Sequence, residues 1–108
     1  MAARLQAGDA LILVDVQLDF LPGGSLAVSH GDEVVPALNR YIAVFRRLTL
    51  PVVATRDWHP PDHCSFQAQG GPWPPHCVAG SDGARFAPLL DLPCEARIAS
   101  KATTRDRD

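Results

Sequence analysis

The chain has 108 residues, 46% of them hydrophobic and 20% charged, which is typical of one small globular domain and argues against intrinsic disorder. Ten basic and twelve acidic residues are scattered along it and give a net charge of −2, so neither nucleic acid nor a membrane is expected as a partner, and a small molecule is. The apolar run 10–14 is too short for a signal sequence or a membrane span, which predicts a cytoplasmic protein.

The first predicted elements form a strand–helix–strand unit. Residues 10–14 (ALILV) are a short continuous apolar run, typical of a central parallel strand covered on both faces. Apolar residues then recur every three or four positions between 34 and 48, which predicts one amphipathic helix beginning near Glu33. The β-branched run 51–55 (PVVAT) predicts a second strand, so the unit indicates an α/β fold with a parallel sheet.

The rest of the chain is predicted to be a long loop region followed by a third strand. Prolines and glycines interrupt residues 58–93, where one short helix is predicted at 84–90. The third strand is predicted at 97–100. Asp15, Asp57 and Lys101 then lie at the ends of the three predicted strands, and ligands of open parallel sheets bind beyond those ends. We therefore expect these three side chains to converge on one edge of the sheet.

Histidines and an aspartate after the second strand predict a metal site. In Asp57-x-His59 both side chains project from the same side of an extended segment, because the strand period is two. His63 or His76 could supply a third ligand. One carboxylate and two imidazoles with open positions suit Zn, Fe or Mn in a catalytic site.

Two other interpretations of the same residues stay open at this point. The three cysteines are an odd number, which argues against a disulfide framework and leaves their thiols free or metal-bound. The dipeptides 63–64 and 76–77, each His-Cys, could build a structural zinc knot, although their spacing does not match the usual clamps. Alternatively, the histidines are unrelated loop residues.

Three segments of the chain resemble one enzyme family. VDVQLDFLPGGSLAV, ATRDWHPPDHCSF and WPPHCVAG, in this order, resemble the nicotinamidases, also called pyrazinamidases, of the isochorismatase-like cysteine hydrolases. The resemblance extends from Ala10 to Lys101. It implies a three-layer α/β/α fold whose parallel sheet has strand order 3-2-1-4-5-6, of which this chain supplies about the first three strands. Residues 1–108 would then be a single partial domain that ends before the nucleophile region.

The resemblance also implies a role for individual residues. The metal ligands would be Asp57, His59 and His76, and the role of His63 stays open. The divalent ion, with zinc expected first and iron or manganese as alternatives, would hold the pyridine nitrogen of nicotinamide. Phe20 and Trp73 would flank the substrate ring. Asp15 would be the catalytic acid–base residue, and Lys101 would be the catalytic cation.

The expected reaction is hydrolysis of nicotinamide to nicotinate and ammonia through a cysteine thioester, as part of NAD salvage. None of Cys64, Cys77 and Cys94 matches the nucleophile of the family, which lies well downstream of the lysine. We therefore expect the 108-residue chain to be inactive alone, and its sheet to be completed by further polypeptide or by a second copy in a homo-oligomer. The alternatives are an inactive metal-binding fragment, a sister isochorismatase-type amidohydrolase and, more remotely, a magnesium-dependent phosphatase using Asp15 and Asp19.

Overall fold

The computed structural model describes residues 4–108 and contains one parallel sheet with a helix packed on it. The strands lie in the order β1-β2-β3, and every neighbouring pair is parallel. The predicted α/β fold is therefore confirmed. The helix and strands in chain order are β1 (Leu11–Val14), α1 (Val34–Arg47), β2 (Val52–Asp57) and β3 (Arg97–Lys101).

Helix α1 follows from the apolar spacing and from its two ends. Val35, Ile42 and Phe45 are buried on the face that packs against the sheet. Pro36 lies in the first turn, where its missing N–H breaks no intrahelical bond. Two arginines, 46 and 47, lie in the last turn, where positive charge interacts favourably with the helix dipole. Among residues 4–108 no helix has the length and apolar character that crossing a membrane requires.

The sheet is covered on one face and exposed on the other within the described residues. Leu13 of β1 and Ala54 of β2 are paired in register and buried in the core beneath α1. Ile12 and Val14 project from the opposite face and are 60% and 63% exposed. Within residues 4–108, β1 is therefore covered on one face, whereas the sequence predicts coverage on both. The reason is that α1 packs on a single face of the sheet.

The predicted helix at 84–90 is wrong. The structure has a 3-10 turn at Asp82–Ala84, after which the chain is extended and Phe86 forms an antiparallel bridge with Gln17. Pro88 explains the difference, because it cannot donate to a helical hydrogen bond and disfavours helical backbone at Ala87. The N–H of Ala87 instead donates to the carbonyl of Val16, at 2.9 Å. The segment is thereby attached to the loop after β1.

Candidate active site

The structure brings together the three charged residues that the sequence places at the strand ends. The ammonium Nζ of Lys101 donates to Oδ2 of Asp15 at 2.8 Å and to Oδ1 of Asp57. Lys101 and Asp57 are paired in register at the ends of β3 and β2, and Asp15 directly follows β1. One lysine therefore bridges two carboxylates at the carboxyl edge of the sheet.

The carboxylate of Asp15 is held by a threonine hydroxyl as well as by the lysine. Its residue has a left-handed backbone, with φ of 56°, which turns the chain sharply as it leaves β1. Thr55 Oγ1 donates to Asp15 Oδ1 at 2.8 Å, while the N–H of Asp15 lies 3.2 Å from the carbonyl oxygen of Thr55. Each carboxylate oxygen thus has its own donor, which orients Asp15 before any ligand binds.

The charge of Lys101 is maintained by its two partners. Partial burial alone would lower the pKa of Lys101, but the hydrogen bonds and negative charges of Asp15 and Asp57 outweigh it, so the pKa lies above its usual value. The side chain therefore stays protonated at neutral pH. It places a positive charge between the carboxylates, where an anionic group could be stabilised.

Asp57, His59 and His76 form a second group of side chains, here called the histidine cluster, which shares Asp57 with the contacts of Lys101. One ligand atom from each lies within 4.8 Å of the others. The Nδ1 atoms of both histidines donate to backbone carbonyls, that of His59 to Ala102 at 3.0 Å and that of His76 to Pro74 at 2.9 Å. Because a carbonyl can only accept, each Nδ1 carries a proton, and Nε2 is the ring atom left to bind a metal. Carbonyl partners of this kind are usual for metal-ligating histidines.

The strongest indication of a cation comes from His59. Its ring is 1% exposed, and its Nε2 is buried without a hydrogen-bond partner, 3.5 Å from Asp57 Oδ2. Burial lowers the pKa of His59, so its imidazole is neutral and cannot form an ion pair with the carboxylate. A buried, unpaired lone pair facing a carboxylate is costly unless a cation binds between them. The donor set therefore fits a divalent metal ion.

His63 is stacked on His59, with ring centroids 4.0 Å apart, but both of its nitrogens are hydrogen-bonded. Its Nε2 donates to the carbonyl of Arg107 at 2.6 Å, and Nδ1 lies 2.7 Å from Ser65 Oγ. His59, His63 and Asp108 also form a possible ligand group by distance. In that group His63 would have to give up its bond to Arg107, whereas the Nε2 atoms of His59 and His76 are already available.

The structure gives different surroundings to the two aromatic residues expected near a substrate ring. Phe20 lies beside the histidine cluster, with its ring centroid 5.7 Å from that of His76. Trp73 pairs through its backbone with the loop 65–67, and its side chain is 45% exposed. Among the ring contacts of residues 4–108, Phe20 joins the histidine cluster and Trp73 does not.

The sequence analysis missed two residues that support the cluster. Phe66 is 1% exposed, and its ring packs edge-on near His59, His63 and His76, with centroids 5.4 to 5.7 Å apart. Gln17 is fully buried and binds the backbone of Asp57. A lone Phe in a polar loop carries no periodic signal, whereas the alternation Asp15-x-Gln17-x-Asp19 could have drawn attention to Gln17.

Cys77, which lies next to a proposed metal ligand in the sequence, is not suited to nucleophilic attack. Cys77 is fully buried, and burial together with the nearby carboxylates of Asp19, Asp57 and Asp15 raises the pKa of its thiol to about 12. A thiol of this kind stays protonated, while the attacking species is the thiolate. Cys64 and Cys94 are exposed, and no cysteine belongs to a ligand cluster within residues 4–108. The zinc-knot interpretation therefore has no support in the geometry.

The fold agrees with the family to which the sequence is similar. The chain belongs to the isochorismatase domain family, a family of hydrolases, whose sequence model matches residues 9–105.

Two bacterial enzymes are similar to this chain in sequence. The nicotinamidase of Acinetobacter baylyi is 40% identical over 115 residues, covering 92% of this chain and 52% of that protein. The nicotinamidase/pyrazinamidase of Mycobacterium tuberculosis is 49% identical over 85 residues, covering 76% and 45%. This chain therefore spans about half the length of the curated relatives it matches.

Solved structures of similar proteins also match this chain over about half of their own length. Pyrazinamidase of Pyrococcus horikoshii in complex with zinc has a TM-score of 0.88 and 52% identity, covering 92% of this chain and 54% of that one. PnC1 from L. infantum in complex with nicotinate has a TM-score of 0.81 and 45% identity, covering 90% and 48%. The described residues therefore match about one half of these neighbouring folds.

Proposed function

We propose that the protein containing these residues is a nicotinamidase, which hydrolyses nicotinamide to nicotinate and ammonia with the assistance of a divalent metal. The observation that carries the proposal is the position of Asp57. Its carboxylate contacts Lys101, which also binds Asp15, and it belongs to the histidine cluster. A site for a cation and a site for acid–base chemistry are thus adjacent. The similarity to nicotinamidases supports the choice of substrate.

In the proposed mechanism Asp15 moves protons and Lys101 stabilises negative charge. Asp15 accepts the proton of an attacking thiol, whose sulfur adds to the carboxamide carbon and forms a tetrahedral oxyanion. The ammonium of Lys101, 2.8 Å from Asp15, favours both the thiolate and that oxyanion. Asp15 then passes the proton to the departing amine, so that ammonia leaves and a thioester remains. Water hydrolyses the thioester to nicotinate and regenerates the thiol.

The remaining site residues hold the substrate ring. Asp57, His59 and His76 are the proposed ligands of the ion, with zinc as the first choice and iron or manganese as alternatives. The ion would supply a binding point for the pyridine nitrogen and so orient the ring. Phe20 beside His76, together with Trp73, would flank the ring faces.

The attacking thiol is proposed to come from polypeptide other than residues 1–108. Burial and a pKa of about 12 disqualify Cys77. The same further polypeptide, or a second copy of the chain, would cover Ile12 and Val14 and pair with the free edge of β1. In this proposal residues 1–108 are a partial domain of a cytoplasmic NAD-salvage enzyme.

The proposal is tested by ammonia release from nicotinamide by the full-length protein. Asp15→Asn keeps the size of the side chain but cannot accept the thiol proton, so kcat should fall by ~10²- to 10⁴-fold, the range for losing an acid–base group. Asp32→Asn, at an exposed position before α1, is the matched control and should keep wild-type rates. Wild-type turnover by Asp15→Asn would remove Asp15 from the mechanism.

A sister amidohydrolase is the second candidate. N-carbamoylsarcosine amidase from Thermoplasma acidophilum has a TM-score of 0.71 and 29% identity over 86% of this chain. The two candidates differ in what they require of the substrate, because a pyridine nitrogen is needed only where a metal orients the ring. Turnover of aliphatic amides together with no turnover of nicotinamide would favour the sister enzyme.

A further inference from the structure

The side chain of Gln17 lies between Asp57, at the end of β2, and Ala84, in the 3-10 turn Asp82–Ala84, and it is fully buried. Its Nε2 donates to the carbonyl oxygens of Asp57 and Ala84, each at 2.9 Å, and its Oε1 accepts from the N–H of Asp57 at 2.9 Å. Both amide protons and the amide oxygen are therefore used. A buried glutamine satisfied in this way is fixed in one orientation, because any rotation would leave polar atoms unpaired.

Gln17 replaces a strand at the point where the sheet ladder stops. The pairing between β1 and β2 ends at Val14 and Thr55, and the left-handed backbone of Asp15 then turns the chain away. The N–H and C=O of Asp57 would have no partner on that side. The primary amide of Gln17 supplies one donor and one acceptor to them, as a neighbouring strand would.

We propose that Gln17 is a positioning residue for Asp57 at the metal centre. Asp57 is held by Lys101 through its carboxylate and by Gln17 through its backbone, so that its Oδ2 points toward His59 Nε2, 3.5 Å away. Removing the amide would free the backbone of Asp57 and leave its N–H and C=O unpaired in a buried site. The carboxylate would then be less well placed to bind an ion that the imidazole also binds.

Asn39 offers a matched control elsewhere in the chain. Its amide makes the same kind of clamp, with Nδ2 donating to the carbonyl of Leu89 at 2.9 Å and Oδ1 accepting from the N–H of Asp91 at 2.7 Å. Asn39 lies on α1, away from the histidine cluster. Losing that clamp should weaken the fold without changing the metal site.

The test measures zinc affinity of the full-length protein by chelator competition, at a temperature where each variant is folded by circular dichroism. Gln17→Met keeps the length of the side chain without its hydrogen bonds and should weaken zinc binding by ~10- to 100-fold, the usual range for a residue that orients a metal ligand. Asn39→Leu should bind zinc as tightly as the wild type. His59→Ala, which removes a proposed ligand, is the reference for a damaged site.

A second readout separates positioning from general destabilisation. The visible spectrum of the cobalt-substituted protein reports the ligand geometry, and it should shift in Gln17→Met but not in Asn39→Leu. If Gln17→Met does not fold, Gln17→Asn retracts the amide by one methylene, keeps its polarity and should weaken zinc binding in the same direction.

Two results would overturn the proposal: wild-type zinc affinity in the folded Gln17 variants, or equal weakening by Asn39→Leu. The proposal rests on the metal centre of the proposed function but not on its substrate. Failure to hydrolyse nicotinamide with intact zinc binding would therefore contradict the nicotinamidase assignment and leave the role of Gln17 standing.

Discussion

Ala102 combines an unfavourable backbone conformation with a contact to His59 of the histidine cluster. Its φ is 51°, in the left-handed region where a Cβ is crowded, and its carbonyl accepts the Nδ1 proton of His59. The turn after β3 needs this positive φ in order to aim the carbonyl of Ala102 at His59.

Ala102→Gly should therefore stabilise the protein. Removing the Cβ relieves the left-handed strain, and after the larger backbone entropy of the unfolded glycine is subtracted, the free energy of unfolding should rise by about 0.5–1 kcal/mol. Urea unfolding measures it. Ala99→Gly is the control, since Ala99 lies in extended β3, where glycine should destabilise instead. A loss of stability in Ala102→Gly equal to that in Ala99→Gly would contradict the strain.

At the scale of elements, α1 and the sheet together position the charged residues at the carboxyl edge of the sheet. The apolar face of α1 packs on β1 and β2, and the charged residues Asp15 and Asp57 lie at the carboxyl ends of those strands. Apolar spacing predicts this helix, and the predicted start near Glu33 is one residue before the observed start at Val34. The predicted helix at 84–90 is wrong because Pro88 and a long-range bridge between Phe86 and Gln17 determine the conformation of that segment.

Packing of α1 should matter more for stability than any property of its outer face. Ile42 is 1% exposed, so Ile42→Ala should lower the free energy of unfolding of the full-length protein by ~2–5 kcal/mol through lost burial and a cavity. Tyr41→Ala, at an exposed neighbouring position, should change it by about 0.5 kcal/mol or less. Equal effects of the two variants in denaturant unfolding would show that α1 does not pack on the sheet as described.

At the scale of the whole molecule, residues 4–108 hold part of a reaction site and one covered face of a sheet. The proposed acid–base residue Asp15, the lysine and a set of candidate metal ligands are present, and no cysteine belongs to a ligand group among the described residues. Ile12, Val14 and the free edge of β1 form an apolar surface next to that site. The proposed source of the thiol and the proposed cover of this surface are the same additional polypeptide.

The 108-residue chain expressed alone should bind metal but release no ammonia from nicotinamide. Cys77, which lies near the carboxylates of the site, is buried with a raised pKa and supplies no thiolate. Ammonia release by the chain and by the full-length protein is compared at equal metal content. Turnover by the chain that disappears in Cys77→Ser would contradict our account of the nucleophile.

The sequence by itself determined α1, the three strands and the residues at the strand ends. Apolar runs and 3.6-residue spacing depend on local burial, and parallel topology alone brings Asp15, Asp57 and Lys101 to one edge. The spacing of Asp57 and His59 follows from the strand period. These are short-range properties, and they can be derived without knowing what packs against them.

The tertiary structure alone decided which partners each polar atom has. His76 and His63 are equally plausible ligands by spacing, and they differ because a carbonyl 44 residues away in sequence occupies Nε2 of His63. Gln17 gains its significance from bonds to Asp57 and Ala84, 40 and 67 residues away. Buried polar atoms must be paired, and the pairing depends on which distant backbone groups the fold brings within about 3 Å.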